Sequence, residues 1–120
     1  MSIMKKYKFC FDLDGTICEN KIGDQKYQDL MPLKGAVETI QKLKEEGHYI
    51  IIFTARNMIT YNNNLGKIIA NQSKVVIEWL EKFKIPYDEI HFGKPVADFY
   101  IDDKGYKLEN WGNFFEDLQV

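Results

Sequence analysis

Short apolar runs alternate with amphipathic stretches along this chain. Tyr7 to Phe11 is mostly apolar and ends at Asp12, and its length and aromatic content favour a buried strand. From Ile17 to Met31 the sequence turns polar around Gly23-Asp24, which predicts a loop or small hairpin. Pro32 opens a helix with Ala36, Val37, Ile40 and Leu43 at three- and four-residue spacing, and Gly47 closes it. His48 to Phe53 is a β-branched run ending at Thr54, a second strand. Asn57 to Asn71 is rich in Asn and predicts a loop with at most one helical turn, at Lys67 to Ala70. Val75, Val76, Trp79, Leu80 and Phe83 mark a second amphipathic helix, broken by Pro86. Glu89 to Phe92 and Asp98 to Ile101 predict a third and a fourth strand, and Trp111, Phe114, Phe115 and Leu118 a last short helix.

This alternation is that of an α/β domain with a central parallel sheet covered by helices, a three-layer Rossmann-like arrangement. Ligands bind such sheets beyond the carboxyl ends of the strands. Here every predicted strand ends in polar or ionisable residues: Asp12 and Asp14, Thr54 and Arg56, Lys94, and Asp102 with Asp103.

Composition narrows the partners. A chain of 120 residues supports one domain, taken as 1–120. With 45% hydrophobic and 28% charged residues it reads as globular, and no run approaches the length of a membrane span. A net charge of -2 offers no basic surface for nucleic acid, so an anionic substrate must be caught locally. Met1 to Tyr7 carries Lys5 and Lys6 without an apolar signal stretch, and the cytoplasm is the expected compartment. Cys10 and Cys18 have no companion ligands at zinc-like spacing and are expected to be structural thiols. Every basic residue except Arg56 is a lysine, so this lone guanidinium marks a need for a planar fork, toward substrate, toward a carboxylate of the flap, or in a structural salt bridge.

Two carboxylates one residue apart at a strand end can divide labour as nucleophile and proton donor if a divalent cation offsets their repulsion. Asp102-Asp103 would complete an oxygen-rich site suited to Mg²⁺. Gly15 permits a tight turn whose backbone N–H groups approach an anion, and Thr54 and Lys94 can donate to a phosphoryl group. These parts fit phosphoryl transfer, which depends on positioning and charge neutralisation.

Asp12-Leu13-Asp14-Gly15-Thr16, then Thr54, Lys94 and Ile101-Asp102-Asp103, resembles the four motifs of the haloacid dehalogenase superfamily from about Tyr7 to Lys104. The resemblance implies Asp12 as nucleophile, forming an aspartyl-phosphate, and Asp14 as acid and base. It implies phosphate binding by Thr54, Lys94, Leu13 and Ala55, and Mg²⁺ held by the Asp12 side chain, the Asp14 backbone carbonyl and a carboxylate of the last motif, with Asp103 the direct ligand and Asp102 its support, although sequence alone leaves these two interchangeable. Asp14 separates the chain from members that dehalogenate, which lack it. Only loops and single elements lie between the motifs, which looks capless, with a flap at 17–31 and a specificity loop at 57–71. Capless members act on large substrates or form homo-oligomers in which a neighbour closes the site.

More narrowly, Gly93 to Lys104 is similar to small phosphatases of bacterial capsule and surface-polysaccharide biosynthesis, implying a phosphorylated sugar or phospho-alcohol as the small-metabolite substrate. A nucleotide or protein phosphatase of the same chemistry is the alternative, and a catalytically silent binding module the remote one. A phosphorylation-controlled receiver domain has similar residues in another order. An isolated Asp-x-Asp merely caps a turn, and only the four strand ends together raise it above that. His48, His91 and Asp98 are expected to be structural, and Tyr27, Tyr61 and Asn62 to Asn64 are loop residues within reach of a substrate.

Overall fold

The computed structural model describes residues 5–120 and forms three parallel strands, β1 (Lys8–Asp12), β2 (Tyr49–Thr54) and β3 (Glu89–Phe92), in the order β1-β2-β3. Met1 to Met4, part of the stretch inspected for a targeting signal, lie outside the described residues. The branched run Ile50-Ile51-Ile52 suits β2 to the centre, where pleated neighbours pack on both sides. Its register sets Ile52 beside Phe11 on one flank and beside Ile90 on the other. Alternate side chains point to opposite faces, and burial follows that period: Ile50, Ile52 and Thr54 are buried, whereas Tyr49, Ile51 and Phe53 are less so.

Three helices follow the predicted pattern, α1 (Ala36–Glu45), α2 (Leu65–Lys82) and α3 (Phe114–Leu118). Gly35 precedes α1 with φ 88°, and a Cβ there would lie 2.9 Å from Trp111 Cβ, so both backbone and packing demand glycine. α2 begins six residues before the expected loop ends at Asn71, because Asn64 caps it: its side-chain oxygen accepts from Lys67 N at 3.2 Å. Asn71 then fits the helix by donating from its side chain to Lys67 O at 2.8 Å. The asparagines at 62–64 end the loop rather than extend it.

One apolar cluster joins Phe11, Ile50 and Ile52 to Ile40 and Leu43 of α1, Val76 and Leu80 of α2 and Phe114 of α3. Cys10, Ile51 and Phe53, on the other face, stay outside it, so the described residues place the helical core on one face of the sheet rather than both. Cys10 is therefore exposed, contrary to the reading of β1 as buried throughout. Among the described residues no helix is long and apolar enough to cross a membrane.

Asp98 to Ile101 does not form the expected fourth strand. It is irregular and outward-facing, with Phe99 83% and Ile101 92% exposed. Local contacts win over strand propensity here. Tyr100 lies against Lys94, whose Nζ is 4.3 Å from the ring centroid, and its hydroxyl donates to Pro95 O. Asp102 closes a turn by accepting from Lys104 N at 2.8 Å.

Asp88 clamps the start of β2 from the loop before β3. It accepts from Ile50 N at 2.8 Å and from Lys44 Nζ at 2.6 Å. The Lys44 hydrogen bond first, and the Ile50 N–H second, hold its carboxyl below the ordinary aspartate value of 3.8. A carboxyl whose folded pKa lies below its unfolded one stabilises fully above the unfolded value, and that contribution is lost as pH falls through the folded one. Asp88→Asn should therefore lower stability at neutral pH and flatten its decline under acid, measured by urea unfolding from pH 7 down to pH values below 3.8.

Candidate active site

The site grows from the end of β1. Leu13 is fully buried, and its N–H donates to Phe53 O at 3.1 Å, which carries the strand ladder one residue past Asp12. With Leu13 turned into the core, Asp12 and Asp14 both face the opposite way, into one cavity. The chain then turns sharply: Ile17 N and Cys18 N both donate to Leu13 O, at 2.9 and 3.1 Å. Gly15 makes that turn possible with φ 83°, and a Cβ there would meet Asn20 Nδ2 at 2.9 Å. Trp111 pins the turn by donating from Nε1 to Thr16 O at 2.9 Å.

The two carboxylates have different neighbours. Asp12 has Lys94 Nζ 3.2 Å from one oxygen, and the Thr16 hydroxyl donates to the other at 3.3 Å. Lys94 is brought there by the end of β3, where its N–H donates to Thr54 O at 3.1 Å. Asp14 is gripped by Arg56: Nε donates to Oδ1 at 3.1 Å and Oδ2 at 2.9 Å, and Nη2 donates to Oδ1 at 3.0 Å. The Arg56 side chain is 1% exposed. Its partner is thus the second aspartate of the motif, not a carboxylate of the flap. Thr54 belongs to the same group, since its hydroxyl accepts from Arg56 N at 3.1 Å and lies 3.5 Å from Asp14 Oδ2.

These residues line a cavity of about 440 Å³ shared by Asp12, Asp14, Ala55, Arg56 and Lys94, with Tyr27 of the flap on one wall and Tyr100 on another. Thr54 and Leu13 are buried beneath it, and the Leu13 N–H faces Phe53 O rather than an anion. Asp102 and Asp103 are not brought in; they lie exposed in the irregular segment after Tyr100. Asn20, Lys21, Asn57 and Thr60 are wall residues that the sequence did not single out. Their one mark in sequence was membership of the two polar loops. Tyr61 is not part of the wall, whereas Tyr27 is.

Cys18 sits behind Asp14, its thiol donating to Oδ1 at 3.4 Å. Burial, and next the charge of Asp14, push its pKa up to about 12, so it stays a thiol, and both cysteines are free. Burial is also the main cause that raises the Tyr27 hydroxyl, followed by Asp14. His48, buried at the start of β2, accepts from Tyr7 N at 3.0 Å through Nδ1, a structural contact far from the cavity. His91 pairs with Glu89 at 2.8 Å on the exposed side of β3.

The donors around Asp12 and Asp14 suit a hard cation in a limited way. Among the described residues no three His, Cys, Asp or Glu side chains converge as a metal cage. Mg²⁺ does not require one, because it keeps waters and binds through one or two carboxylates together with substrate phosphate. The Asp12 carboxylate can serve as one such ligand, with Lys94 Nζ 3.2 Å from it; both carboxylate oxygens of Asp14 are taken by Arg56, which leaves its main-chain carbonyl for a cation.

The family model for 5' nucleotidase, deoxy (pyrimidine), cytosolic type C protein matches residues 16–114. The match begins just after Asp14, so the two aspartates argue for the chemistry independently of it. A crystal structure of an MCSG target from Vibrio cholerae is similar at 37% sequence identity and a TM-score of 0.75, covering 95% of this chain and 99% of that one. No curated protein matches the chain.

Proposed function

The chain belongs to the cytosolic type C 5′ nucleotidase family of haloacid-dehalogenase-type phosphatases, and on that premise we propose that it is a Mg²⁺-dependent 5′-nucleotidase working through an aspartyl-phosphate. It is a phosphoric monoester hydrolase. The observation that carries the aspartyl-phosphate reading is the pairing of Asp12 with Lys94 and of Asp14 with Arg56 at one cavity, two carboxylates set apart by different cations.

A carboxylate oxygen of Asp12 attacks phosphorus, and the bond from phosphorus to the ester oxygen breaks. Asp14 gives that oxygen its proton, so the product leaves as an alcohol. Asp14 then takes a proton from a water that attacks the aspartyl-phosphate, freeing Asp12 and inorganic phosphate. Lys94, with Nζ 3.2 Å from Asp12, would meet phosphoryl oxygens as Asp12 engages phosphorus. The Asp12 side chain and the Asp14 backbone carbonyl would hold Mg²⁺, joined by Asp103 if the segment after Tyr100 folds inward, and the ion would neutralise charge on those oxygens.

Membership of a 5′ nucleotidase family favours a nucleoside monophosphate, so the nucleotide reading ranks above a phosphorylated sugar or phospho-alcohol. The likeness of Gly93 to Lys104 to surface-polysaccharide phosphatases gains no support from the relatives found. We take 1–120 as one domain, place it in the cytosol like its family, and allow a second copy to close the cavity.

Nucleoside and deoxynucleoside 5′-monophosphates should exceed hexose phosphates and glycerol phosphates in kcat/KM by about tenfold or more, a gap of about 1.4 kcal/mol in transition-state binding. Higher kcat/KM on a sugar phosphate would overturn the nucleotide assignment while leaving the phosphatase chemistry intact. Chelation should lower turnover by about 100-fold or more and added Mg²⁺ should restore it, followed as phosphate release; turnover indifferent to chelator would remove the metal from the reading.

A further inference from the structure

Arg56 offers the cavity almost none of its surface, yet it is the one arginine in a chain that otherwise uses lysine. Two of its nitrogens are engaged with Asp14, and the third, Nη1, is buried without a hydrogen-bond partner. A buried donor left without a partner costs stability, so the side chain is not arranged for its own satisfaction. Its geometry is arranged around Asp14.

On the far side the guanidinium carbon lies 4.2 Å from the ring centroid of Tyr27, in the 3-10 turn Tyr27–Asp29 of the flap. Stacking on an aromatic face is a contact that a guanidinium makes and an ammonium does not reproduce. Asp14, Arg56 and Tyr27 therefore form a continuous stack from motif to flap. Asp14 Oδ1 takes three donors, Arg56 Nε, Arg56 Nη2 and the Cys18 thiol. Oδ2 takes Arg56 Nε and, at a long 3.5 Å, the Thr54 hydroxyl. Oδ1 is the anchored oxygen and Oδ2 the freer one.

We propose that Arg56 is a positioning residue which, braced by Tyr27 of the flap, fixes the Asp14 carboxylate so that Oδ2 delivers the proton to the leaving group. This rests on the reading of Asp14 as proton donor. A fixed donor matters most where the departing oxygen needs its proton, and little where it leaves readily as an anion.

The test compares two substrates within each variant: p-nitrophenyl phosphate, whose leaving group departs without a proton, and a nucleoside 5′-monophosphate, whose alkoxide cannot. The ratio of the two kcat/KM values cancels any unfolded fraction, because misfolding scales both alike, and it reports transfer to Asp12 without the hydrolysis step that the two substrates share. Arg56→Gln and Arg56→Lys should each lower kcat/KM on the nucleotide by about 100-fold and on the aryl phosphate by about fivefold or less. Tyr27→Leu, which keeps an apolar side chain where Tyr27 packs against the core, should show the same pattern at about a tenth of the size, while Tyr27→Phe keeps the wild-type ratio. Equal losses on both substrates in the Arg56 variants, or in Tyr27→Leu if the Arg56 variants do not fold, would overturn the proposal. Asp14→Asn separates the layers. If it discriminates between the substrates and the Arg56 variants do not, the positioning role falls alone; if it does not discriminate, the reading of Asp14 as proton donor falls first.

Discussion

Asp12→Asn should abolish phosphate release, with a loss of about 10³-fold or more, because an amide oxygen cannot form the phosphoryl ester that the carboxylate forms. The change is nearly isosteric, and Asp12 and Lys94 are both partly open to solvent, at 32% and 18% of their side chains. Loss of that ion pair should therefore cost less than about 1 kcal/mol of stability, and the variant should melt close to the parent. Phosphate release and a thermal melt on the same preparation separate lost chemistry from lost fold. With contaminating phosphatase excluded, activity above about a tenth of the parent would falsify the nucleophile assignment, since an amide cannot form the aspartyl-phosphate on which that turnover would depend.

Ile52→Ala should be the most damaging single truncation in the sheet. Ile52 is fully buried at the middle of the central strand, between Phe11 and Ile90 in register. Removing a buried branched side chain costs about 2–5 kcal/mol, lost transfer energy plus the cavity left behind. Against a total of about 5–15 kcal/mol for an ordinary domain, that is a large share. Urea unfolding should show the midpoint falling while the slope is unchanged. Ile51→Ala, one residue earlier and outside the apolar cluster, should cost less than half as much. Equal losses at the two positions would mean that the outer face of the sheet is covered in solution.

Strands and helices were legible where burial enforces a period. β2 follows from its branched run, and α1 and α2 from apolar residues at three- and four-residue spacing. The start of α2 was not, because low helix propensity at Asn71 is outweighed by a cap at Asn64 and a side-chain bond to Lys67 O. The Asp98 to Ile101 segment misled in the other direction: its aromatic and branched residues suit a strand, yet a strand exists only where another backbone pairs with it. At the site, Asp12, Asp14, Lys94 and Arg56 meet as the strand ends implied. The partner of Arg56 was not readable, since a pairing across 42 positions depends on where β1 and β2 align rather than on either local sequence.

Leu13 separates the two aspartates and is itself wholly enclosed, with its amide bound to Phe53 O. The spacing between the two site aspartates is thus set by a residue that belongs to the interior. A substitution that loosens this position therefore erodes folding and alignment together. Activity and integrity of the molecule should consequently fade over one temperature range on heating, with no interval in which a folded but misaligned enzyme persists.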